Sequence, residues 1–168
     1  YEDVDFNEIL NIMIEKTNEL LEHKPNIITE ASFNYDNNFC SVDILKNDKD
    51  GVEIYEVKSS NKLKDIYEDD VSYQYYILSN LGFNVKKACL IHLNKEYIRG
   101  KELQLDKLFK IEDLTEIAKG KQEEIKKNID SINILMDEHD ENNEPDIDIG
   151  VKCLEPYGCE FWSYCTRK

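Results

Sequence analysis

Three charged residues in two consecutive apolar segments are the part of this sequence best suited to chemistry. Asp43 lies within the run "SVDIL", and Glu56 and Lys58 lie two residues apart in "GVEIYEVK". Because side chains of a β-strand alternate between its two faces, Glu56 and Lys58 share one face. The turn sequence "NDKDG" between the segments predicts a hairpin that brings Asp43 close to them.

This combination of side chains suits a divalent cation and a phosphate. Two carboxylates and an ammonium in a partly buried place are costly to desolvate unless they pair or bind a cation. Carboxylate oxygens favour Mg²⁺ or Mn²⁺, which keep water molecules available as nucleophiles. A lysine nearby can orient or deprotonate that water and stabilise charge developing on a phosphate. The pattern therefore predicts phosphodiester hydrolysis; the alternative is an ordinary exposed Glu56–Lys58 pair, with Asp43 on an edge-strand surface.

The elements that must position these residues can be predicted from periodicity. Apolar residues at helical spacing in "DFNEILNIMIEKTNELLEHK" predict an amphipathic helix that ends near His23. The β-rich runs "NIITEASFNY", "NFCSVDILK" and "GVEIYEVKSS" follow, and the turns between them predict an antiparallel three-stranded meander. The sheet part of the chain is thus expected to begin with three neighbouring strands.

The pattern then changes to helical spacing from Asp69 and stops before Gly82, which suits the position after a helix. "NVKKACLIHLN" predicts a strand that a crossover places parallel to the third strand, and "LFKIEDL" predicts a further short strand. A long helix is predicted from Leu114 to Met136. The order αβββαβ, with the extra strand and helix, predicts an α/β or α+β domain in which helices flank a mixed sheet.

"VD", "EVKSS" and the following helix "DDVSYQYYILSNLG" together resemble the PD-(D/E)XK nucleases. The resemblance is to the RecB-like branch, which includes CRISPR-associated exonucleases and the AddB nuclease domain, and it implies a restriction-endonuclease-like core. It implies that Asp43 and Glu56 ligate Mg²⁺ or Mn²⁺ and that the backbone carbonyl of Val57 adds a third ligand. It further implies that Lys58 is the catalytic lysine and that Gln74 positions substrate or metal-bound water.

Other positions of the family pattern match less completely. Glu30 lies where related nucleases often carry an additional acidic metal ligand. The family often has a tyrosine four residues after the helix glutamine; this chain has Leu78 there, and Tyr75 and Tyr76 instead follow the glutamine directly. The branch usually has a metal-binding histidine on its first helix, where this chain offers only His23. We expect the true histidine upstream of Tyr1, so that the metal shell of this fragment is incomplete.

The five cysteines fall into two groups. Cys40 and Cys89 lie in β-like apolar runs, which predicts small buried side chains. Cys153, Cys159 and Cys165 are spaced C-x5-C-x5-C and resemble the C-terminal cluster of RecB-like nucleases that hold a 4Fe–4S centre. In those proteins an early cysteine completes the set, and we expect it upstream of this sequence. Three thiols without a cluster are the alternative.

Composition limits the partners and the compartment. The chain has 168 residues and a formal net charge of −15, which disfavours tight non-specific binding to nucleic acid or anionic membranes. It has no apolar run of about 18 residues and no basic signal sequence, so a cytoplasmic protein is predicted. The predicted organisation is a nuclease domain at 1–136, an acidic connection at 137–149, and a cysteine-rich segment at 150–168 that packs on the same domain.

The leading interpretation is a metal-dependent deoxyribonuclease, an exonuclease acting on single-stranded DNA or free ends in DNA repair or CRISPR-type processing. Lys58, Lys62 and Lys64 are expected to line its cleft, and the acidic charge predicts weak, salt-sensitive substrate binding. His92 is expected to be a partnered residue of the sheet. One alternative is a nuclease-fold binding or scaffold module without turnover, and another is a cluster-dependent redox or regulatory protein.

Overall fold

The computed structural model describes residues 5–140 and 142–167. The chain divides into two compact units, residues 1–125 and residues 126–168. The first unit contains a five-stranded sheet with the helices that pack on it, and the second contains the cysteine-rich segment.

The first unit begins with one helix and three antiparallel strands. The helix has a capped start, because the side chain of Asp5 accepts a hydrogen bond from the backbone N–H of Asn7. Its end at Glu22 agrees with the predicted position near His23. The predicted antiparallel meander is confirmed. The elements are α1 (Phe6–Glu22), β1 (Ile27–Tyr35), β2 (Asn38–Asp48) and β3 (Gly51–Lys58).

A crossover through α2 (Asp65–Asn80) leads to β4 (Val85–Leu93), which pairs in parallel with β3 as predicted. The helix begins one turn earlier than expected, because two acidic residues in that turn suit a helix N-terminus. Gly82 follows the helix with a φ of 89°, a left-handed conformation that glycine adopts without strain. After a short helix, α3 (Leu105–Leu108), the predicted extra strand β5 (Phe109–Asp113) pairs antiparallel to β4.

The strands lie in the order β1-β2-β3-β4-β5, so the sheet is mixed and its edges are β1 and β5. Helix α2 contacts four of the strands and α1 contacts β1. The largest fully buried apolar side chains come from the three central strands and from α2, and they belong to one core. These are Val42, Leu45, Ile54, Val71, Ile77, Leu78 and Leu90. Cys40 and Cys89 are buried as predicted.

The predicted helix from Leu114 to Met136 is wrong in one respect, because the structure has two helices there. They are α4 (Thr115–Gly120) and α5 (Gln122–Glu138), and Lys121 separates them. Glycine is a poor helix former, and Gly120 stands at the break, so the helical hydrogen bonds need not continue through it. The boundary between the two units falls within α5.

In the second unit, α5 ends at Glu138, and a 3-10 turn at Val151–Cys153 and the short helix α6 (Trp162–Cys165) follow. The predicted packing of residues 150–168 on the domain predicted at residues 1–136 stays a prediction. None of the helices in residues 5–140 and 142–167 combines the length and apolar character that a bilayer crossing requires.

Candidate active site

The pairing of β2 with β3 stops where the predicted metal ligands lie. The last paired residues are Ile44 and Tyr55, and the next register position would place Asp43 opposite Glu56. At this point the backbone N–H of Val57 donates to Asp43 Oδ2 at 2.6 Å. The carboxylate of Asp43 on β2 therefore accepts a backbone hydrogen bond from β3 just beyond the last paired residues, and a cavity opens at this place.

This cavity has a volume of about 300 Å³. Its wall is formed by β2, β3 and α2, through Cys40, Ser41, Asp43, Glu56, Asp70, Tyr73 and Gln74. A larger cavity of about 830 Å³ lies at the turn between β2 and β3, where Asp48 stands next to Lys49 among mostly apolar and amide side chains. We place the candidate site in the smaller cavity, because the paired carboxylates line it.

Both carboxylate oxygens of Glu56 are engaged by side chains predicted to act with it. Lys58 Nζ lies 2.7 Å from Glu56 Oε1, which agrees with the predicted common face of these two residues. Gln74 Nε2 donates to Glu56 Oε2 at 2.6 Å. The glutamine reaches this position from α2, since the crossover helix packs across the end of β3. The structure thus brings Asp43, Glu56, Lys58 and Gln74 to one place.

Lys58 has a second acidic partner that the sequence analysis missed. Asp70 Oδ2 lies 2.7 Å from Lys58 Nζ, and the ring of Tyr67 lies 5.3 Å from it. Burial lowers the pKa of Lys58, but the hydrogen bonds to Asp70 and Glu56 outweigh this effect and raise the pKa above its ordinary value. Lys58 is therefore an ammonium at neutral pH, suited to stabilising negative charge and unsuited to removing a proton.

A sequence signal for Asp70 does exist. Asp70 precedes Gln74 by four residues, which is about one helical turn, so the two side chains lie on the same face of α2. Once Gln74 is assigned to the site, an acidic residue one turn before it becomes a candidate partner for the lysine. Many acidic residues in this chain occur at such spacings, and only the packing of α2 on β3 identifies this one.

One buried polar atom in the cavity wall has no hydrogen-bond partner among the described residues, and it is Gln74 Oε1. The side chain of Gln74 is almost fully buried. Leaving a buried acceptor unpaired costs about 1–3 kcal/mol, so such atoms in folded proteins are usually satisfied by water, an ion or a ligand. An amide oxygen beside two carboxylates is therefore open to a cation or a water molecule.

The donor atoms at this place fit a hard divalent cation. Asp43 and Glu56 offer carboxylate oxygens and Gln74 an amide oxygen, and all are of the type that Mg²⁺ and Mn²⁺ prefer. Within residues 5–140 and 142–167, no group of three or more His, Cys, Asp or Glu side chains that could hold a metal ion is found. The residues suit a cation that retains several waters, as Mg²⁺ does.

Glu30 lies apart from this cavity wall. The pairs on either side of it, Thr29 with Ile44 and Ala31 with Val42, would place Glu30 opposite Asp43, but the pairing is interrupted there. Its backbone is left-handed, with φ 54°, and its side chain is exposed. The role of Glu30 as a metal ligand stays a prediction.

The first helix and the aromatic residues of α2 also differ from the family pattern. His23 follows the end of α1 and does not line the cavity. Leu78 belongs to the core, and the aromatic residue that lines the cavity is Tyr73, one position before Gln74. The Tyr73 hydroxyl donates to the Phe39 carbonyl at 3.2 Å. Tyr73 therefore helps to hold α2 against β2 beside the site.

The three late cysteines lie in the second unit. Cys153 is partly buried, and Cys159 and Cys165 are exposed. The backbone N–H of Cys159 donates to the carbonyl of Cys153 at 2.8 Å. The side chains do not form a group of three metal-binding residues within the part of the chain that the structure describes. The 4Fe–4S centre, with its fourth cysteine upstream, stays a prediction.

The functional assignment rests on the chemistry of the cavity described above. Comparisons of the chain with protein-family models, with curated proteins and with solved structures find no match.

Proposed function

We propose that this chain is a metal-dependent deoxyribonuclease that hydrolyses phosphodiester bonds of DNA, with single strands or free ends as the expected substrates. The observation that supports the proposal is that Asp43, Glu56 and Gln74 line one cavity where two strands part, and that Lys58 pairs with Glu56 at 2.7 Å. Two carboxylates, an ammonium and an unpaired amide oxygen are the groups needed to hold a hard cation beside a phosphate.

In this proposal Asp43 and Glu56 would hold Mg²⁺ or Mn²⁺, together with the carbonyl oxygen of Val57. When bound, the cation would lower the pKa of a coordinated water and neutralise charge on the phosphate. The ammonium of Lys58 stabilises the negative charge that develops on the phosphate oxygens. Asp70 holds that ammonium in place, and Gln74 holds the carboxylate of Glu56 and orients a water through its free oxygen.

The proposal is tested by incubating the chain with labelled single- and double-stranded DNA in Mn²⁺, in Mg²⁺ or in EDTA. We expect cleavage only with a divalent metal and a loss on the order of 10²-fold or more in Lys58→Ala, since a charge-stabilising donor is removed. Lys46→Ala is a matched control, because Lys46 also pairs with a glutamate of β3, but that glutamate, Glu53, does not line the cavity. Wild-type rates in Lys58→Ala would rule out the mechanism, and product lengths over time distinguish exonuclease from endonuclease cutting.

One observation favours a second candidate, a nuclease-fold module that binds DNA or acts as a scaffold without turnover. Both oxygens of Glu56 are already engaged by Lys58 and Gln74, and the described residues contain no group of three acidic, histidine or cysteine ligands. A metal would compete with Lys58 and Gln74 for these oxygens. Labelled DNA that binds with the same affinity in Mn²⁺ and EDTA, and is not cut in either, would establish this candidate over the enzyme.

A further inference from the structure

A third cavity, of about 400 Å³, lies among β4, β5 and the loop after β3. Its chemically active lining consists of Lys62, His92, Lys95, Lys110 and Glu112, and we call it the lysine cavity. Three ammonium groups thus face one carboxylate in a chain whose formal net charge is −15. A local excess of positive charge in an acidic protein concentrates anions at that spot.

Most of this positive charge is available to a ligand. Lys62 and Lys95 have no salt bridge to any residue that the structure describes. Lys110 Nζ lies 3.9 Å from a carboxylate oxygen of Glu96, which is 71% exposed, so this pair is weak and screened. An anion that enters the cavity therefore does not have to break a strong ion pair.

His92 forms a fixed part of the cavity wall. It is 6% exposed, its Nδ1 lies 3.0 Å from the carbonyl oxygen of Leu93, and its Nε2 lies 3.4 Å from Glu112 Oε1. Both neighbours are hydrogen-bond acceptors, so the ring is used within the protein, as predicted for a partnered residue of the sheet. The contact also holds Glu112 at one side of the cavity, which leaves the lysines to meet the ligand.

The register of the sheet connects this cavity to the candidate active site. Lys58 on β3 is the ladder partner of His92 on β4, and His92 is the partner of Lys110 on β5. Ladder partners project their side chains to the same side of a sheet, and neighbouring strands are about 4.8 Å apart. Lys58, His92 and Lys110 therefore form a row that leads from the proposed cleavage point into the lysine cavity.

We propose that the lysine cavity binds a backbone phosphate of the DNA strand, next to or one beyond the phosphate that is cut at Lys58. The proposal rests on the proposed function. The cavity lies one to two strand spacings from Lys58, and this separation is of the same order as that between neighbouring phosphates of a nucleic acid. The lysine cavity would hold the DNA strand through the charge of its backbone phosphate, so its binding does not depend on the base sequence.

The test compares two triple variants of the intact chain that have the same net charge. One is Lys62→Gln/Lys95→Gln/Lys110→Gln. The control is Lys16→Gln/Lys24→Gln/Lys49→Gln, in which three exposed lysines that line neither the candidate active site nor the lysine cavity are replaced. The affinity for a single-stranded oligonucleotide without terminal phosphates is measured against salt concentration in EDTA, which prevents turnover.

The expected result is that the cavity variant lowers the slope of log affinity against log salt by about 0.7, the value for one lost phosphate contact on a single strand. The control keeps the wild-type slope. Equal slopes in wild type and cavity variant, or equal losses in both variants, overturn the proposal, since only bulk charge would then act.

A second measurement locates the contact. Oligonucleotides that each carry one neutral methylphosphonate are compared, and wild-type affinity should fall most at one position, while the cavity variant no longer responds at that position. A uniform response along the oligonucleotide overturns the proposal. If the wild-type chain cuts DNA but the cavity variant binds like wild type, the proposed phosphate site is wrong and the proposed nuclease activity stands. If the wild-type chain cuts no DNA but shows the position-specific loss of affinity, the phosphate site stands and the nuclease activity is wrong.

Discussion

Strand β3 carries two glutamates, Glu53 and Glu56, whose side chains are equally hidden from solvent, with 10% and 11% exposure. Glu53 Oε2 accepts hydrogen bonds from the hydroxyl of Tyr55 at 2.5 Å and from Lys46 Nζ at 2.9 Å. The hydrogen bond from Tyr55, followed by that from Lys46, lowers the pKa of Glu53. The carboxylate of Glu53 is thus paired with one lysine and one hydroxyl of the protein, and it needs no further partner.

Glu56 has a different balance of neighbours. Glu56 and Asp70 share the single ammonium of Lys58, a third carboxylate, Asp43, lines the same cavity, and the amide oxygen of Gln74 has no partner among the described residues. Burial is the same for both glutamates and so does not distinguish them. The excess of negative charge, the unpaired acceptor and the open volume mark the Glu56 cluster as a place for a ligand.

The largest difference between variants of the two glutamates is expected in the rate of DNA cleavage. We expect Glu56→Gln to lower the rate of DNA hydrolysis in Mn²⁺ by about 10²–10³-fold, because it removes a proposed metal ligand and the partner of Lys58. Glu53→Gln should stay close to the wild-type rate, since Glu53 lies outside the cavity. The measurement is the initial rate on labelled DNA. Similar losses in both variants would mean that the comparison reflects fold stability only.

The next largest difference between the two glutamates is expected in the stabilisation of the fold by Mn²⁺. At Mn²⁺ concentrations near 100 times the dissociation constant, a ligand that binds only the folded state stabilises it by about 2.7 kcal/mol. We expect this stabilisation in wild type and in Glu53→Gln, and its loss in Glu56→Gln and Asp43→Asn. Chemical denaturation with Mn²⁺ and with EDTA measures it. A metal effect that survives in Asp43→Asn would place the cation elsewhere.

Without metal, the substitution of Glu53 should destabilise the fold more than the substitution of Glu56, which is the opposite of the order expected for cleavage. Glu53→Gln is expected to lower the free energy of unfolding by about 1–2 kcal/mol, because hydrogen bonds to a charged acceptor are replaced by weaker neutral ones. Glu56→Gln should cost less, since the loss of the bond to Lys58 is offset by relief of repulsion from Asp43 and Asp70. Urea denaturation in EDTA compares the variants, and a larger cost for Glu56→Gln would contradict the charge balance described here.

The smallest expected effect is the pH dependence of the Glu53 contribution. The folded pKa of Glu53 is lower than its ordinary value of 4.5, so the carboxylate contributes stability above about pH 4.5 and loses it as the pH falls through the folded pKa. The difference in unfolding free energy between wild type and Glu53→Gln should therefore be full at pH 6–7 and shrink on acidification below pH 4.5. A difference that grows at low pH would have the opposite sign and would exclude the linkage.

Much of the fold could be predicted because the relevant signals are local. The period-two pattern of "GVEIYEVK" placed Glu56 and Lys58 on one face, and the 2.7 Å contact between them agrees. The short turn before Gly51 and the helical spacing before Gly82 predicted the meander and the crossover. The prediction of a single long helix was wrong at Gly120, because the apolar periodicity continues across the break between the two helices and gives no sign of it.

The neighbours across elements could not be predicted in this way. Periodicity indicates which side of its own strand or helix a residue faces, but the distance between elements depends on how α2 packs on the sheet. That packing places Asp70 on Lys58 and leaves the amide oxygen of Gln74 unpaired.

The sequence by itself determined the strands, the common face of Glu56 and Lys58, and the hairpin that brings Asp43 near. The tertiary structure decided which acidic residues share the lysine, where the β2–β3 ladder opens, and that His92 and Lys110 continue the row from Lys58. The physical reason is that hydrogen-bonded register and side-chain packing are non-local, and they are set by burial of the whole core.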